Sequence, residues 1–252
     1  MVDIRLFFNH LFPPRCPLCG QAGHWPGHHH EHPSRTPASD AGKQASSLCA
    51  YCLAALPWIG RHCRGCALPL DANDQDFCGR CQQHPPPWTE AQAMFAYRGA
   101  IPGLVSSIKY QHRLQLSHEL GRIWAEYLRQ SPWLTQADVV VPIPLHWRRR
   151  WRRGFNQVAE LAKPVSRALA VPLCHHCLKR VRFTPSQAQL PRRVRLQNLR
   201  NAFLSDAARV SGKHILLLDD VMTTGTTLRE ATHSLLDAGA RRVDIQVLGR
   251  TI

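Results

Sequence analysis

Short apolar runs alternate with amphipathic stretches from about residue 90 onward, as strands alternate with helices. The run DVVVPI is rich in β-branched residues, which is typical of a strand buried on both faces of a parallel sheet. Strands are predicted over Ala91–Tyr97, Asp138–Ile143, Leu178–Phe183, His214–Leu218 and Val243–Leu248. Helices are predicted as one or two segments in Ile101–Gln130, from about Phe155, near Val194–Asn201, and over Thr227–Ala238 with Gly239 as C′ cap. This alternation predicts an α/β domain with a mainly parallel sheet.

The segment QQHPPPW separates this pattern from a cysteine-rich N-terminal region. Three consecutive prolines can continue neither a helix nor a central strand, so the segment is a stiff boundary. We therefore predict an N-terminal module over residues 1–81, a proline-rich linker over 82–89 and the α/β domain over 90–252.

Eight of the ten cysteines form four C-x-x-C pairs in the N-terminal region: Cys16/Cys19, Cys49/Cys52, Cys63/Cys66 and Cys78/Cys81. A C-x-x-C turn directs two thiolates at one ion, so two turns complete a tetrahedral zinc site. The spacing predicts two structural Zn²⁺ ions in a double zinc-ribbon module, without fixing which pairs share an ion. A disulfide framework is disfavoured in a reducing compartment, and a thioredoxin-like pair is disfavoured because no βαβ pattern precedes the cysteines.

Two further features are given no function. The insertion between the first two cysteine pairs is polar, of low complexity and rich in histidine, which is typical of a disordered loop. Cys174 and Cys177 form a lone C-x-x-C in the α/β domain, and we predict two ordinary thiols there.

The chain has no apolar run of the roughly 18–20 residues that a membrane span requires. The short apolar stretch at its start is broken by Arg5, Asn9 and His10, which makes it too polar for a signal peptide. We therefore expect no membrane span and a cytoplasmic location, where thiols stay reduced.

The segment ILLLDDVMTTGTT, residues 215–227, is the most specific motif in the chain. An apolar strand delivers Asp219 and Asp220 to its carboxyl end, and a hydroxyl-rich loop then opens into a helix. Ligands of open α/β sheets bind at this edge, where backbone N–H groups and the helix dipole favour a phosphate. The carboxylates suit ribose hydroxyls or a Mg²⁺ ion beside that phosphate. The predicted phosphate-binding residues are Thr223, Thr224, Gly225, Thr226 and Thr227.

This motif resembles the phosphoribosyl-pyrophosphate (PRPP) loop of type I phosphoribosyltransferases. A strand–turn–helix that is merely capped would need one polar residue, whereas two acids and four threonines surround this glycine. The chain lacks the G-x-x-x-x-G-K-[ST] of a P-loop, and no G-x-G-x-x-G follows a strand. The resemblance implies PRPP, accompanied by Mg²⁺, as the ligand.

Basic charge is concentrated between residues 146 and 200, which hold twelve Arg and two Lys against one acid. This segment carries +13 of the formal net charge of +15, so a polyanionic partner is expected. It opens with WRRRWRR, residues 147–153, which we call the arginine belt and expect on the same sheet edge as the threonine-rich loop. Arginine grips phosphate bidentately, and tryptophan offers a stacking platform for bases. The predicted nucleic-acid contacts are Trp147, Arg148, Arg149, Arg150, Trp151, Arg152, Arg153, Arg192, Arg193 and Arg195.

The four cysteine pairs, WRRRWRRGFNQ, R-x-T-x-S-Q-x-x-L, R-x-x-N-x-x-N-A-F and LLLDDVMTTGTT together resemble the ComF (GntX-type) competence protein family over nearly the whole chain. The resemblance implies a zinc ribbon joined to a type I phosphoribosyltransferase-like domain. It also implies a role in natural transformation, in which single-stranded DNA is handled with a helicase-like partner. By the same resemblance, Asp219 and Asp220 lie beside the ribose and Thr223–Thr227 hold its 5-phosphate. The pyrophosphate side is then lined by Arg153, Gly154, Asn156 and Gln157.

Three functions fit these features. An accessory protein of DNA uptake would bind single-stranded DNA through the arginine belt and PRPP, or a similar phosphoribosyl ligand, through the threonine-rich loop. An active phosphoribosyltransferase would use Asp219 and Asp220 to stabilise a cation-like ribose, although the sequence offers no evident nucleobase pocket or general base. A zinc-ribbon scaffold would only dock a helicase partner. We favour the first function.

Overall fold

The computed structural model describes residues 15–22, 48–72, 75–111, 113–131, 136–182 and 201–252. The chain divides into two compact units, residues 1–56 and 57–252. The first unit holds the first two cysteine pairs, and the second holds the other two pairs together with the described strands. The predicted domain boundaries at residues 81 and 89 stay predictions.

Helices and strands alternate along the second unit. The first unit contributes helix α1 (Ala50–Ala54). The second unit contributes α2 (Gly79–Gln83), β1 (Glu90–Ala96), α3 (Ile101–Tyr110), α4 (Leu114–Arg129), β2 (Val139–Pro142), α5 (Trp147–Arg153), α6 (Gln157–Leu169), β3 (Leu178–Arg180), β4 (Phe203–Ser205), α7 (Ala207–Val210), β5 (His214–Met222), α8 (Thr226–Asp237) and β6 (Arg242–Arg250). In the described ranges, no helix combines the length and the apolar character that a membrane crossing demands.

The main sheet contains four parallel strands in the order β1–β6–β5–β2. Its register pairs Glu90 with Asp244, His214 with Arg242, and Val139 with Ile215. Every residue of β1 and β2 is buried, as is nearly every residue of β5 and β6, because the sheet is covered on both faces. The predicted α/β class with a parallel sheet is therefore confirmed.

The short strands β3 and β4 form an antiparallel pair outside the main sheet. The predicted strand Leu178–Phe183 is thus shorter and differently placed than the sequence suggests. The charged side chain of Lys179 explains why this strand lies outside the main sheet. Lys179 is exposed, and a strand buried on both faces of the sheet could not keep its charge in solvent. The predicted helix near Val194–Asn201 lies outside the described residues, except for Asn201 itself.

Cys174 and Cys177 are joined in a disulfide, so the prediction of two ordinary thiols is wrong. Their Cα atoms lie 5.6 Å apart, within the range that a disulfide requires. The backbone N–H of Cys174 donates to the Val140 carbonyl at 2.9 Å, and the Asp206 N–H donates to the Cys177 carbonyl at 3.0 Å. The disulfide therefore connects the edge of β2 that faces away from β5 to the β3–β4 pair.

Helices α4 and α6 pack together in close contact on one face of the sheet. Gly121 permits this approach, because a Cβ at this position would lie 2.6 Å from the Leu161 carbonyl oxygen and 2.9 Å from Pro164 Cγ. Both are parts of the chain that cannot swing away as a long side chain would. The close packing therefore depends on glycine here.

Replacement of Gly121 with alanine is expected to destabilise the protein by about 1–3 kcal/mol, the usual effect of overpacking. The direction of the change in stability is informative, because replacing glycine with alanine within a helix normally stabilises a protein by up to about 1 kcal/mol. Gly103 in α3 is the matched control, since a Cβ there meets nothing within 4 Å and Gly103→Ala should stabilise. Urea unfolding of both variants measures the difference, and equal effects would contradict the packing argument.

Candidate functional site

The threonine-rich loop lies at the carboxyl end of β5, where the strand passes into helix α8. Gly225 is the N-cap of α8 and has φ +74°, a left-handed conformation that glycine adopts without strain. The Thr224 and Thr226 hydroxyl oxygens lie 2.8 Å apart. We call residues 222–227 the anion loop. Together with Asp219, Val221 and Leu228 they line a concavity of about 20 Å³, enough for one water or ion.

The two aspartates stand at the mouth of this loop. Asp220 is buried, and its Oδ2 accepts hydrogen bonds from Lys109 Nζ and from Gln157 Nε2, each at 2.8 Å. Asp219 is half-buried, and its Oδ1 accepts a hydrogen bond from the Asp220 backbone N–H at 2.8 Å. The acidic pair thus faces a cation from α3 and an amide from α6.

Lys109 was not among the residues that the sequence singled out. Burial by itself would lower the pKa of Lys109, but the Asp220 carboxylate outweighs burial and raises it, so the ammonium stays charged. One signal was available in the sequence. Lys109 follows Ile108 directly at the edge of the apolar stripe of α3, where a charged side chain needs a partner.

Burial, together with the neighbouring Asp220 carboxylate, raises the pKa of Asp219 to about 7. The native carboxyl therefore holds its proton more tightly than the unfolded one, whose pKa is near 3.9. Asp219 stabilises the fold below about pH 4, and that contribution is lost as the pH rises through 7.

Asp219→Asn is expected to flatten the dependence of stability on pH between about 4 and 7, because the amide does not titrate. Urea midpoints at pH 5 and pH 7.5, without ligand, measure the effect. Asp237→Asn on the exposed end of α8 is the control and should keep the wild-type pH dependence. An Asp219→Asn variant that loses as much stability as the wild type across this range would contradict the assignment.

The arginine belt forms a helix, α5, directly after β2. His146 is its N-cap, with Nδ1 accepting from the Arg148 N–H at 3.3 Å, and Gly154 ends it with φ +76°. Residues four apart share one helix face, so Trp147 and Trp151 lie side by side. They are 64% and 86% exposed, which leaves two indole rings open to solvent.

Arg153 connects the arginine belt to the acidic pair. Its guanidinium donates to Gln157 Oε1 at 3.2 Å, and Gln157 in turn donates to Asp220. The same guanidinium lies 5.0 Å from the centre of the Tyr110 ring and donates to the Tyr110 hydroxyl at 3.3 Å. Arg153, at the end of the arginine belt, therefore lies at the same edge of the sheet as the acidic pair.

The structure also positions the remaining predicted residues, as far as it describes them. Asn156 is the N-cap of α6: its Oδ1 accepts from the Val158 N–H at 3.1 Å and its Nδ2 donates to the Ile143 carbonyl at 3.0 Å. Gly154 supplies the left-handed turn between α5 and α6. The nucleic-acid contacts predicted at Arg192, Arg193 and Arg195 lie outside the described residues.

Four residues missed by the sequence reading surround the site: Lys109, Tyr110, Arg180 and Arg250. Arg180 on β3 packs over the Phe203 ring at 5.5 Å. Burial and repulsion from Arg149 together lower the pKa of Arg180 to about 10, although attraction to Asp219 opposes the change. Arg180 thus brings positive charge toward the acidic pair from the β3–β4 pair. Only the pairing of β3 with β4 reveals this, because the two strands are distant in sequence.

The eight paired cysteines form two clusters, Cys16, Cys19, Cys49 and Cys52, and Cys63, Cys66, Cys78 and Cys81. Within each cluster the Sγ atoms all lie within 4.8 Å of one another. The Cys19–Cys49 and Cys66–Cys78 sulfur pairs are 3.7 Å apart, and the edge of a Zn–S₄ tetrahedron with bonds of about 2.3 Å is about 3.8 Å. Each cluster could therefore hold a zinc ion, and consecutive pairs along the chain combine.

Backbone N–H groups point at the sulfur atoms in both clusters. The Cys78 N–H donates to Cys63 Sγ at 3.2 Å, and the Cys49 N–H approaches Cys16 Sγ at 3.5 Å. Such donors stabilise thiolate charge around a metal. The donor set, all sulfur, leaves no open position for substrate and fits a structural ion.

The parallel sheet and the anion loop at the end of β5 define a phosphoribosyltransferase-type domain with cysteine ribbons attached. In agreement, the phosphoribosyl transferase domain family matches residues 157–250. Among solved structures, the allosteric regulatory enzyme of purine biosynthesis is 22% identical, with a TM-score of 0.37, and the match covers 52% of this chain and 26% of that one. The family match and the order of the parallel strands give the fold class, that of the type I phosphoribosyltransferases.

Curated relatives then give the family. The DNA utilization protein YhgH of Salmonella typhimurium is 36% identical over 208 residues, 81% of this chain and 91% of that protein. Competence protein F of Haemophilus influenzae is 30% identical over 213 residues, with the same two coverages. Competence protein ComFC of Bacillus subtilis is 35% identical over 103 residues, 40% of this chain and 39% of that protein. The chain belongs to the ComF family of competence and DNA utilization proteins, which supports a competence-related role.

Proposed function

We propose that this protein is an accessory factor of DNA uptake that binds PRPP, or a similar phosphoribosyl ligand, and single-stranded DNA at one joined site. The observation that carries the proposal is the chain of hydrogen bonds from Arg153 through Gln157 to Asp220. This chain of hydrogen bonds supports a joined site, because it connects the end of the arginine belt to the acidic pair beside the anion loop.

The anion loop supplies the phosphate end of the phosphoribosyl site. Backbone N–H groups at the start of α8 and the threonine hydroxyls are the donors that a 5-phosphate needs. Asp219 and Asp220 would accept hydrogen bonds from the ribose hydroxyls. Mg²⁺, where bound with the ligand, would neutralise the pyrophosphate charge, and the two carboxylates are the oxygen ligands it prefers, directly or through water.

The pyrophosphate side would be formed by cationic and amide groups. Lys109 and Arg153 stand on either side of Gln157 and Asp220, so positive charge already borders the acidic pair. Lys109 would release Asp220 and turn to a pyrophosphate oxygen when the ribose arrives. This exchange keeps the buried ammonium paired with an anion throughout.

The exposed surface of α5 is the proposed site for single-stranded DNA. Arginine side chains would neutralise phosphates, and the adjacent Trp147 and Trp151 rings would stack on bases. Such a surface binds without sequence preference, because every base has a face on which an indole can stack. The cysteine ribbons would bind a helicase-like competence partner, as the family resemblance implies.

Zinc occupancy of both cysteine clusters belongs to the same proposal. Metal analysis of the purified protein should give two zinc ions per chain, and Cys66→Ser should give one. A protein that folds and contains no zinc would contradict this part.

Calorimetric titration tests the joined site. PRPP with Mg²⁺ should bind in a saturable way, and a saturating oligo-dT should change the PRPP affinity. Linkage requires PRPP to change the oligo-dT affinity by the same factor. Absence of PRPP binding would overturn the phosphoribosyl half of the proposal. Absence of oligo-dT binding at low salt would overturn the DNA half, and independent binding would overturn the joining of the two.

A further inference from the structure

The turn between Cys63 and Cys66 is attached to the α/β body by three consecutive carbonyl groups. The Arg64 carbonyl accepts from the Ala91 N–H at 2.6 Å, the Gly65 carbonyl from Trp88 Nε1 at 2.8 Å, and the Cys66 carbonyl from Arg250 Nε at 2.7 Å. This turn carries two of the four sulfur ligands of the second cluster. The same short turn therefore positions two metal ligands and makes the hydrogen bonds to the α/β body.

Arg250 holds the anion loop with the other side of its guanidinium. Its Nη1 donates to the Thr223 carbonyl at 2.6 Å and to the Met222 carbonyl at 3.1 Å. The residue is only 8% exposed, so these bonds are made in a poorly solvated place where they are strong. One side chain thus joins the cysteine turn to the first residues of the anion loop.

Trp88 makes a second connection between the same two elements. Its indole N–H is bonded to the cysteine turn, while its ring lies against the loop, so that a Cβ at Gly225 would be 3.4 Å from Trp88 Cη2. The Arg229 guanidinium from the first turn of α8 lies 5.6 Å from the centre of the ring. Trp88 is 6% exposed and packed between turn and loop.

We propose that Trp88 and Arg250 are positioning residues that couple metal binding at Cys63, Cys66, Cys78 and Cys81 to the shape of the anion loop. When the cluster holds its ion, the three carbonyls are fixed and both side chains hold the loop in the form that receives a phosphate. When the ion is lost, the turn relaxes and the loop loses both supports. Where the ligand is PRPP, this inference rests on the proposed function.

Amide hydrogen exchange tests the coupling without any ligand. Removal of zinc from the intact chain with a chelator should speed exchange across Met222–Thr227 by about tenfold, and exchange in the middle of α4 should stay constant. Trp88→Phe, fully loaded with zinc, should show the same local change, because phenylalanine keeps an aromatic ring but cannot donate to the Gly65 carbonyl. Trp58→Phe is the matched control: Trp58 packs on Phe95 at 4.7 Å, and its replacement should leave the loop unchanged.

A second variant covers the case in which zinc removal unfolds the whole unit. Arg250→Lys keeps the charge but replaces a planar group bonded to four carbonyls with a single ammonium. It should speed exchange at Met222–Thr227 while metal analysis still finds both ions. Wild-type exchange at the loop in both Trp88→Phe and Arg250→Lys would overturn the inference, whatever the loop binds.

An experiment with PRPP separates this inference from the proposed function. Coupling is reciprocal at equilibrium, so saturating PRPP with Mg²⁺ should raise the affinity for one zinc ion by about tenfold, within the usual 5–150-fold range, as measured by competition with a colorimetric chelator. Trp88→Phe should reduce that gain in zinc affinity. PRPP that binds calorimetrically but leaves the zinc affinity unchanged would overturn the coupling and leave the proposed function standing. PRPP that does not bind at all would overturn the phosphoribosyl half of the proposed function, and the exchange experiment would then decide the coupling.

Discussion

Replacement of both Asp219 and Asp220 with asparagine is expected to weaken PRPP binding by about 100-fold or more. Each hydrogen bond to a charged group contributes about 1.5–3 kcal/mol, and two carboxylates are lost together. The variant also leaves the Lys109 ammonium in a poorly solvated place without its Asp220 partner at 2.8 Å. Calorimetry with PRPP and Mg²⁺ measures the loss.

A surface substitution of the same kind provides the control. Asp206 caps α7 and forms a 2.9 Å ion pair with Arg209, and both side chains are exposed. Asp206→Asn should bind PRPP as the wild type does. Tight PRPP binding by the double Asp219→Asn, Asp220→Asn variant, with the fold intact by circular dichroism, would show that the acidic pair is not part of the site.

Simultaneous replacement of Arg148, Arg149, Arg152 and Arg153 with alanine is expected to reduce single-stranded DNA affinity by about two to three orders of magnitude at low salt. The physical reason is counterion release, which contributes a slope of about −0.7 in log K against log[salt] for each neutralised phosphate of a single strand. Four lost contacts should therefore flatten that slope by about 3. Fluorescence anisotropy of labelled oligo-dT across a salt series gives both quantities.

Two comparison variants make this result specific. Four exposed arginines elsewhere (Arg98, Arg129, Arg209 and Arg241) give the same change in net charge when replaced with alanine, and should leave the slope nearly unchanged. Trp147→Ala with Trp151→Ala should weaken binding by about 1–3 kcal/mol per stacked base at an unchanged slope. A charge-matched control as damaging as the belt variant would mean that bulk charge, not α5, binds DNA.

The parallel sheet and the anion loop could be predicted from the sequence because each is determined by the residue pattern of short, continuous segments. A run of aliphatic residues followed by acids, threonines and a glycine needs no distant partner to be recognised. The cysteine clusters were predictable for a related reason, since each C-x-x-C turn is local and only the choice of partner pair is not. That choice required the positions of sulfur atoms that are 30 residues apart for Cys19 and Cys49.

The residues that the sequence did not predict act across the sheet or between elements. Lys109 reaches Asp220 from a helix more than a hundred positions earlier, and Arg250 joins the cysteine turn to the anion loop across 184 positions. No periodicity encodes such contacts. The arginine belt was expected as a charged run, but not as a helix. The helix begins at the N-cap His146, and the charge pattern gives no sign of that cap. The disulfide at Cys174 depends on how β2 and Asp206 hold its two ends.

The strand order β1–β6–β5–β2 has a consequence for synthesis of the protein. Strand β6 lies between β1 and β5, yet a ribosome makes it after the other five described strands. Until residue 250 has emerged, β1 and β5 each present an open backbone edge to neighbouring nascent chains. The last strand also brings Arg250, so the sheet and the anion loop are completed in the same event, and a polypeptide cut short before Arg242 has neither.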